Sequence, residues 1–307
     1  MKKYLLFGLT LCVVLLLVKV FIFSTGNPDD EYAKLFHENH HTYALNMPAE
    51  LSFAGERVPL NLFDVRERID RELLVNVYWQ SQTLLLIKRA HRWFPVIEPI
   101  LKKNNIPDDF KYLSVAESGL TNVVSPSNAV GFWQFLESTG KAHGLEINDE
   151  VDERYSIERS TEAACDFFSN SCSQFGNWTL AAASYNMGTT GLQKQIEKQK
   201  VDNYYDLLLN DETFRYVSRI LAAKEIIEHP VQYGFYFREQ DLYQPFEYTT
   251  VSVDSSLSDL ADFSIQHKIN YKVLKLLNPW LRQNYLTNKE RKNYLIKIMK
   301  QGDEVIK

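Results

Sequence analysis

The chain has 307 residues, of which 24% are charged, and its formal net charge is -5. The low counts of 12 glycines and 10 prolines exclude collagen-like and low-complexity classes. The net acidity argues against nucleic acid as a partner, because phosphate backbones attract basic surfaces. The cysteines, Cys12, Cys165 and Cys172, have no metal-ligand spacing, so we expect no metal site.

The N-terminus predicts a membrane anchor. Lys2 and Lys3 precede an apolar run over residues 4–23 that is interrupted by one threonine and one lysine. A membrane-spanning helix needs about 20 apolar residues, and no small-residue cleavage site follows the run. We therefore expect a signal-anchor helix in residues 1–25, with a cleaved signal peptide as the alternative. The positive-inside rule places the rest of the chain outside the cytoplasm, in the periplasmic part of the cell envelope.

The central part of the chain has a helical pattern. Residues 26–60 are mostly polar and predict a linker, whereas apolar residues recur at helical spacing through residues 61–235. Pro95 is predicted to interrupt one helix, Gly119 to end another, and Ser160 to cap a third. Strands do not alternate with these helices, so the sequence predicts a mostly α domain.

The pattern changes after Pro245. Residues 246–253 and 294–299 alternate like strands, and two short helical segments lie between them. We expect a β-α-α-β module in residues 246–307. Residues 268–307 contain ten Lys or Arg and three Asp or Glu, which suggests attraction to an anionic polymer. An ordinary solvated surface is the alternative explanation of this charge.

Glu117 is the strongest candidate for a catalytic group. It lies at the end of an apolar helix that Gly119 should terminate. The negative end of the helix dipole and apolar neighbours such as Phe132 should raise the pKa of its carboxyl group. A carboxyl group that stays protonated near neutral pH can act as a general acid. The alternative, from this argument alone, is a surface glutamate at a helix end.

Four motifs in a fixed order resemble a known family. They are Glu117-Ser118-Gly119, Gly131-Phe132-Trp133-Gln134, Ala182-Ala183-Ser184-Tyr185-Asn186-Met187-Gly188 and a late helix with Tyr216. Together they resemble the catalytic domain of the membrane-bound lytic murein transglycosylase D family, in the goose-lysozyme-like group. The resemblance covers about residues 60–230. Phe132, Ser184 and Met187 depart from the residues that are usual there.

The resemblance implies both a fold and a reaction. The fold would be a goose-type, lysozyme-like helical catalytic domain. The reaction would be cofactor-free cleavage of the MurNAc–GlcNAc bond in peptidoglycan glycan strands, with the C6 hydroxyl of the muramic acid as the nucleophile. Glu117 would first act as the general acid and then as the base, and the product would be a 1,6-anhydro sugar.

The resemblance also implies supporting roles. Tyr185 would hydrogen-bond Glu117 and hold its carboxyl group. Ser118, Gln134 and Asn186 would contact the sugar. Tyr216 would close the site from the last helix, so that these five residues form the substrate-binding set. Alternatively, the two tyrosines could be ordinary core residues, and Gln134 and Asn186 could cap helix ends.

Two rival functions stay open at this point. A hydrolytic muramidase of the same fold would need a second carboxylate across the cleft. The chain offers candidates, none of them in a recognisable motif: Glu137, Asp149, Glu150, Asp152 and Glu153. A non-catalytic wall-binding or scaffold protein would be expected to lack the glutamate.

The C-terminal module weakly resembles LysM glycan-binding modules through Leu260-Ala261 and Leu277-Asn278-Pro279. A docking domain without a ligand is the alternative.

Overall fold

A computed structural model of the chain describes residues 2–24, 30, 33–34 and 42–300. The chain divides into two units, Met1–Ala44 and Leu45–Lys307. In the first unit, helix α1 (Lys2–Ser24) covers the apolar run for which the anchor is predicted. Within the described residues no helix has the length and apolarity that crossing a membrane requires, so the N-terminal anchor is not confirmed.

The second unit begins with a small hairpin. Its strands, β1 (Ser52–Phe53) and β2 (Glu56–Arg57), pair antiparallel, and Phe53 is buried in the main core. The carboxylate of Glu56 accepts hydrogen bonds from two backbone amides at the start of a later helix, where the helix dipole favours negative charge. The linker predicted for residues 26–60 is therefore wrong at this hairpin, because these residues pack into the folded unit.

Eight α-helices follow the hairpin in the described part of the second unit before residue 246, in agreement with the mostly α domain that the sequence predicts. In chain order, the eighth helix packs against the first and the third of these, around a core that includes Trp133 and Phe168. The helices are α2 (Phe63–Tyr78), α3 (Gln80–Lys103), α4 (Lys111–Ser118), α5 (Glu137–Ala142), α6 (Ile157–Phe175), α7 (Trp178–Met187), α8 (Thr189–Gln199) and α9 (Asp211–Glu228).

Helix α3 does not stop at Pro95, which contradicts the predicted interruption. It continues through Pro95 and Pro99 to Lys103. An interior proline removes a helical hydrogen bond and costs about 3 kcal/mol. The apolar side chains of Phe94, Ile97 and Leu101 are buried on this part of the helix. We infer that their packing offsets the missing amides, which the local sequence could not reveal.

The start of helix α6 also differs from the prediction. Ser156, not Ser160, is the N-cap, and its side chain accepts a hydrogen bond from the backbone amide of Arg159. Ser160 lies inside the helix, where its hydroxyl group donates to the carbonyl of Ser156 at 2.6 Å. A serine can fill either role, and the position of the preceding turn decides between them.

The C-terminal module has the predicted β-α-α-β order. Strand β3 (Tyr248–Val253) and strand β4 (Tyr294–Met299) form a two-stranded antiparallel sheet. Helices α10 (Leu260–Gln266) and α11 (Tyr271–Leu277) lie between them in the chain. The module has its own hydrophobic cluster, which includes Leu260, Leu281 and Ile296.

This module is fixed to the helical part of the unit. Val151, from the helical part, belongs to the hydrophobic cluster of the module and forms a backbone bridge with Leu281. Basic residues of the module face acidic residues of the same region: Lys292 pairs with Glu146 at 3.4 Å and Lys297 pairs with Glu158 at 2.5 Å. Part of the positive charge seen in the sequence is therefore used in contacts within the chain.

Candidate active site

Glu117 lies in the last turn of α4, on a cavity of about 470 Å³. The helix ends there because Gly119 takes a left-handed conformation with φ of 60°, which suits a residue without a side chain. Five of the six sequence-predicted site residues line this cavity: Glu117, Gln134, Tyr185, Asn186 and Tyr216. Residues that lie 99 positions apart, Glu117 and Tyr216, thus meet in one place.

Helix α9 contributes one face to the cavity. Glu212, Tyr216 and Arg219 are four and three residues apart, so they project from the same side of the helix. Asn210 caps this helix by accepting a hydrogen bond from the amide of Thr213 at 2.9 Å. The cap fixes where the helix begins and hence which residues of α9 line the cavity.

The hydroxyl group of Tyr216 donates a hydrogen bond to Oε1 of Glu117. Arg219 lies one turn further along α9, and its guanidinium group donates to the carbonyl of Ala116 at 2.9 Å. Both groups therefore contact the end of α4 from the same helix. They hold the glutamate in place and present a donor and a positive charge to its carboxyl group.

Burial raises the pKa of Glu117 to about 7. The hydrogen bond from Tyr216 and the positive charge of Arg219 act in the opposite direction, and the negative charge of Glu212 adds to the rise. The predicted direction of the shift is confirmed, with burial of the carboxyl group as its main cause. A carboxyl group with this pKa can both donate and accept a proton near neutral pH.

The predicted hydrogen bond between Tyr185 and Glu117 is wrong. The hydroxyl group of Tyr185 donates to the carbonyl of Trp133 at 2.6 Å, and Tyr216 makes the bond to the glutamate instead. The ring of Tyr185 packs edge-on against Phe135 and Phe167. This packing fixes the direction of the hydroxyl group, which the motif alone does not specify.

Ser118 is not among the residues that line the cavity. Its hydroxyl group lies within hydrogen-bond distance of two carbonyls, Ser114 O at 3.1 Å and Phe132 O at 2.9 Å. Gln134 does line the cavity, and its side-chain amide donates to the carbonyls of Val123 and Gly131. Ser118 therefore links α4 to the loop that carries Gln134.

Asn186 connects α7 to the start of α9. Its side-chain amide donates to Glu212 at 3.2 Å, and its side-chain oxygen accepts from the hydroxyl group of Thr213 at 2.7 Å. Asn186 therefore orients a second carboxylate beside the cavity. Glu212 is exposed, whereas Glu117 is partly buried.

The second carboxylates proposed from the sequence lie elsewhere. Glu137 pairs with Lys141, Asp152 with Arg154 and Glu153 with Arg159. The remaining two candidates, Asp149 and Glu150, face the C-terminal module, where Glu150 accepts a hydrogen bond from the amide of Thr287. The cavity contains Glu212 instead, which the sequence interpretation missed.

A simple signal could have found Glu212 and Arg219. Once Tyr216 is placed on a cavity-facing helix, the residues four before and three after it must share that face.

The described residues contain no cluster of three or more His, Cys, Asp or Glu side chains that could hold a metal ion.

Two segments of the chain match known protein families. Residues 94–208 match the family described as "Transglycosylase SLT domain", and residues 249–302 match "Soluble lytic transglycosylase C-terminal LysM-like domain". The first range contains Glu117, Gln134 and Tyr185.

Two curated relatives are similar over most of the chain. "Membrane-bound lytic murein transglycosylase D" of Escherichia coli strain K12 is 27% identical over 244 residues, which cover 76% of this chain and 52% of the relative. The protein of the same name from Escherichia coli O6:H1 gives the same values. The chain thus spans about half the length of these relatives. The chain carries a transglycosylase SLT domain followed by a LysM-like C-terminal domain, and it is homologous to membrane-bound lytic murein transglycosylase D.

Proposed function

We propose that the chain is a peptidoglycan lytic transglycosylase. It cleaves the β-1,4 bond between MurNAc and GlcNAc without water and leaves 1,6-anhydroMurNAc ends. The observation that carries this proposal is the carboxyl group of Glu117, which lies partly buried on the cavity and has a pKa of about 7. The SLT domain supports the reaction class, and a goose-lysozyme-like fold is part of the proposal.

Glu117 acts twice in the proposed reaction. Its protonated carboxyl group first donates a proton to the glycosidic oxygen that leaves. The resulting carboxylate then accepts the proton of the muramic acid C6 hydroxyl group as that oxygen bonds to the anomeric carbon. Both steps need a group that is partly protonated near neutral pH. Intramolecular attack is favourable because well-oriented groups reach effective molarities of about 10⁵–10⁸ M.

The other cavity residues support this chemistry. Tyr216 holds one oxygen of Glu117 and stabilises the carboxylate, since it donates a hydrogen bond to it. Gln134 and Asn186 offer polar groups on the cavity for hydroxyl and N-acetyl groups of the sugar. Tyr185 and Ser118 donate hydrogen bonds to the backbone carbonyls of the two residues that precede Gln134 and so help to hold the loop that carries this residue.

One observation favours the rival hydrolytic reaction. Glu212 places a second, exposed carboxylate on the same cavity as the protonatable Glu117. Muramidases that use water pair an acid with such a carboxylate. In the lyase that we propose, Glu212 orients Asn186 and tunes the pKa of Glu117, and the substrate supplies the nucleophile.

Two substitutions should move the pH dependence of kcat/KM in opposite directions. The acid works when protonated, so the rate falls as pH rises through the pKa of Glu117, about 7. Tyr216→Phe removes a hydrogen bond that lowers this pKa, so the alkaline limb should move to higher pH. Glu212→Gln removes a charge that raises the pKa, so the limb should move to lower pH. Rates of release of soluble fragments across a pH series measure both shifts.

The size of the Glu212→Gln effect also separates the two reactions. The lyase should keep more than about a tenth of its rate at the optimal pH, whereas loss of a general base costs about 10²–10⁴-fold. Shifts in the same direction for both variants would contradict the assigned role of Tyr216. Mass analysis of the fragments is the direct test, because only hydrolysis adds the mass of water.

We further propose that the protein acts at the cell envelope, held by its N-terminal segment, with glycan strands as its partner. The contacts between the C-terminal module and Val151 favour a docking role for this module over an independent glycan-binding role.

A further inference from the structure

One loop forms a wall of the candidate active-site cavity. We call residues 123–136 the wall loop; its residues on the cavity include Ser125, Ala129, Gln134 and Leu136. Isolated backbone bridges join Val130 to two other residues of the loop, without a regular strand. Backbone hydrogen bonds within the loop, such as those that Val130 and Phe135 exchange, hold part of its shape, and side chains from outside the loop add further contacts.

Side chains of three other segments donate hydrogen bonds to carbonyls of the wall loop. Ser118 donates to Phe132 O at 2.9 Å, and Tyr185 donates to Trp133 O at 2.6 Å. Nη1 of Arg154 donates to Phe135 O at 3.3 Å and to Asn128 O at 3.4 Å. Arg154 does not line the cavity of Glu117, so it can affect this cavity through the wall loop.

Arg154 is itself held firmly. Its guanidinium group makes hydrogen bonds of 2.9 and 2.7 Å to the two carboxylate oxygens of Asp152, and the side chains are only 11% and 10% exposed. The backbone of Arg154 also touches the loop at Gly131, which has a φ of 85°. A Cβ atom at that glycine would lie 2.0 Å from the carbonyl oxygen of Arg154. The loop thus rests on both the backbone and the side chain of this arginine.

The C-terminal module fixes the other partner of the pair. The amide of Asp152 donates to the carbonyl of Trp280 at 2.9 Å, and the adjacent Val151 forms the bridge with Leu281. The amide of Arg282 donates to the carbonyl of Glu150 at 2.7 Å. Three successive residues, 150–152, are therefore joined to the module through their backbone.

We propose that Arg154 is a positioning residue for saccharide binding, and that the C-terminal module supports the wall loop through Asp152 and Arg154. That the ligand is a saccharide rests on the proposed function, whereas the link from the C-terminal module through Asp152 and Arg154 to the wall loop does not. Loss of the pair loosens the wall loop and weakens saccharide binding, and it leaves the proton transfer by Glu117 in place.

The test uses the full chain with the substitutions Arg154→Gln, Arg154→Lys and Asp152→Asn. Arg159→Gln is the matched control. Arg159 also pairs with two acidic side chains, Glu153 and Glu162, but within the described residues it forms no hydrogen bond to the wall loop. Two quantities are measured: kcat and KM with soluble glycan strands from purified sacculi, and amide hydrogen exchange of residues 123–136 without substrate.

For Arg154→Gln and Asp152→Asn we expect KM to rise about tenfold, the size expected when a charged hydrogen-bond network is lost. The pKa seen in the kcat profile should stay near that of the wild type, and exchange in the wall loop should accelerate. Arg154→Lys keeps the positive charge but lacks the several fixed N–H donors of the guanidinium group, so its KM should lie between those of the wild type and Arg154→Gln. Arg159→Gln should match the wild type in both quantities.

A different pattern would overturn the proposal. A lower melting temperature with unchanged KM and unchanged exchange of the wall loop would mean that the pair is merely structural. The exchange measurement also separates the proposed function from the support of the wall loop by Arg154. If the wild-type chain releases no fragments, the proposed function fails, while faster exchange of the loop in Arg154→Gln still supports the link and unchanged exchange still refutes it.

Discussion

Glu117→Gln should lower kcat by at least about 10³-fold, because general acid–base catalysis contributes about 10²–10⁴-fold and Glu117 serves in two steps. The amide keeps the shape of the side chain but cannot exchange the proton. The melting temperature should not fall, since a carboxyl group that resists ionisation in the folded state is replaced by a neutral group. Fragment release from purified sacculi and thermal unfolding measure the two effects.

The matched control is Glu137→Gln. Glu137 is an exposed glutamate that pairs with Lys141 at 2.6 Å and does not line the cavity of Glu117. This variant should cleave at close to the wild-type rate. If Glu117→Gln retains more than a tenth of the wild-type rate with an unchanged melting curve, another residue carries the proton transfer.

Deletion of residues 246–307 should destabilise the helical part of the chain. The positive charge in the sequence suggested that this module is attracted to an anionic polymer. The structure adds that its removal exposes Val151 and one face of Trp93, which contacts Phe246 at a ring-centroid distance of 5.7 Å. Exposure of two such side chains costs about 3 kcal/mol or more. At about 2–4 °C per kcal/mol, we expect the melting temperature to fall by roughly 6–12 °C.

Single substitutions in the full chain check the same contact. Leu281→Ala truncates a buried residue at the bridge to Val151 and should cost about 2–5 kcal/mol. Ile265→Ala truncates a residue of the module that is 71% exposed, and it should change the melting temperature little. If the deletion variant has the same melting temperature as the full chain but a lower affinity for sacculi, the result would favour an independent wall-binding module instead.

Local patterns predicted much of the architecture. The alternation in residues 246–253 and 294–299 anticipated β3 and β4, and the helical periodicity anticipated a mostly α unit. The order of the motifs anticipated that Glu117 and Tyr216 lie on one cavity, although they are 99 residues apart. The strands and helices follow from residue spacing along one element, which the sequence displays directly, whereas the shared cavity was expected only from the resemblance to a known family.

Features that depend on packing between elements could not be predicted in this way. The sequence gives no sign that α3 tolerates Pro95, because the compensation comes from burial against other helices. The hydroxyl groups of Tyr185 and Tyr216 have different partners because their rings approach the cavity from different helices. Glu212 was missed since it lies outside the polar residues of the motifs and reaches the cavity only through the orientation of α9.

The mass of the fragments released from purified sacculi in water enriched in ¹⁸O distinguishes the lyase from a hydrolase. The proposed lyase should leave 1,6-anhydromuramic ends, without ¹⁸O, and fragments about 18 Da lighter than those made by a hydrolase, because no water is added. The reaction should proceed in the presence of a chelator. Reducing ends that contain ¹⁸O would refute the lyase reaction and assign the chain to the hydrolytic muramidases, with Glu212 as the candidate base.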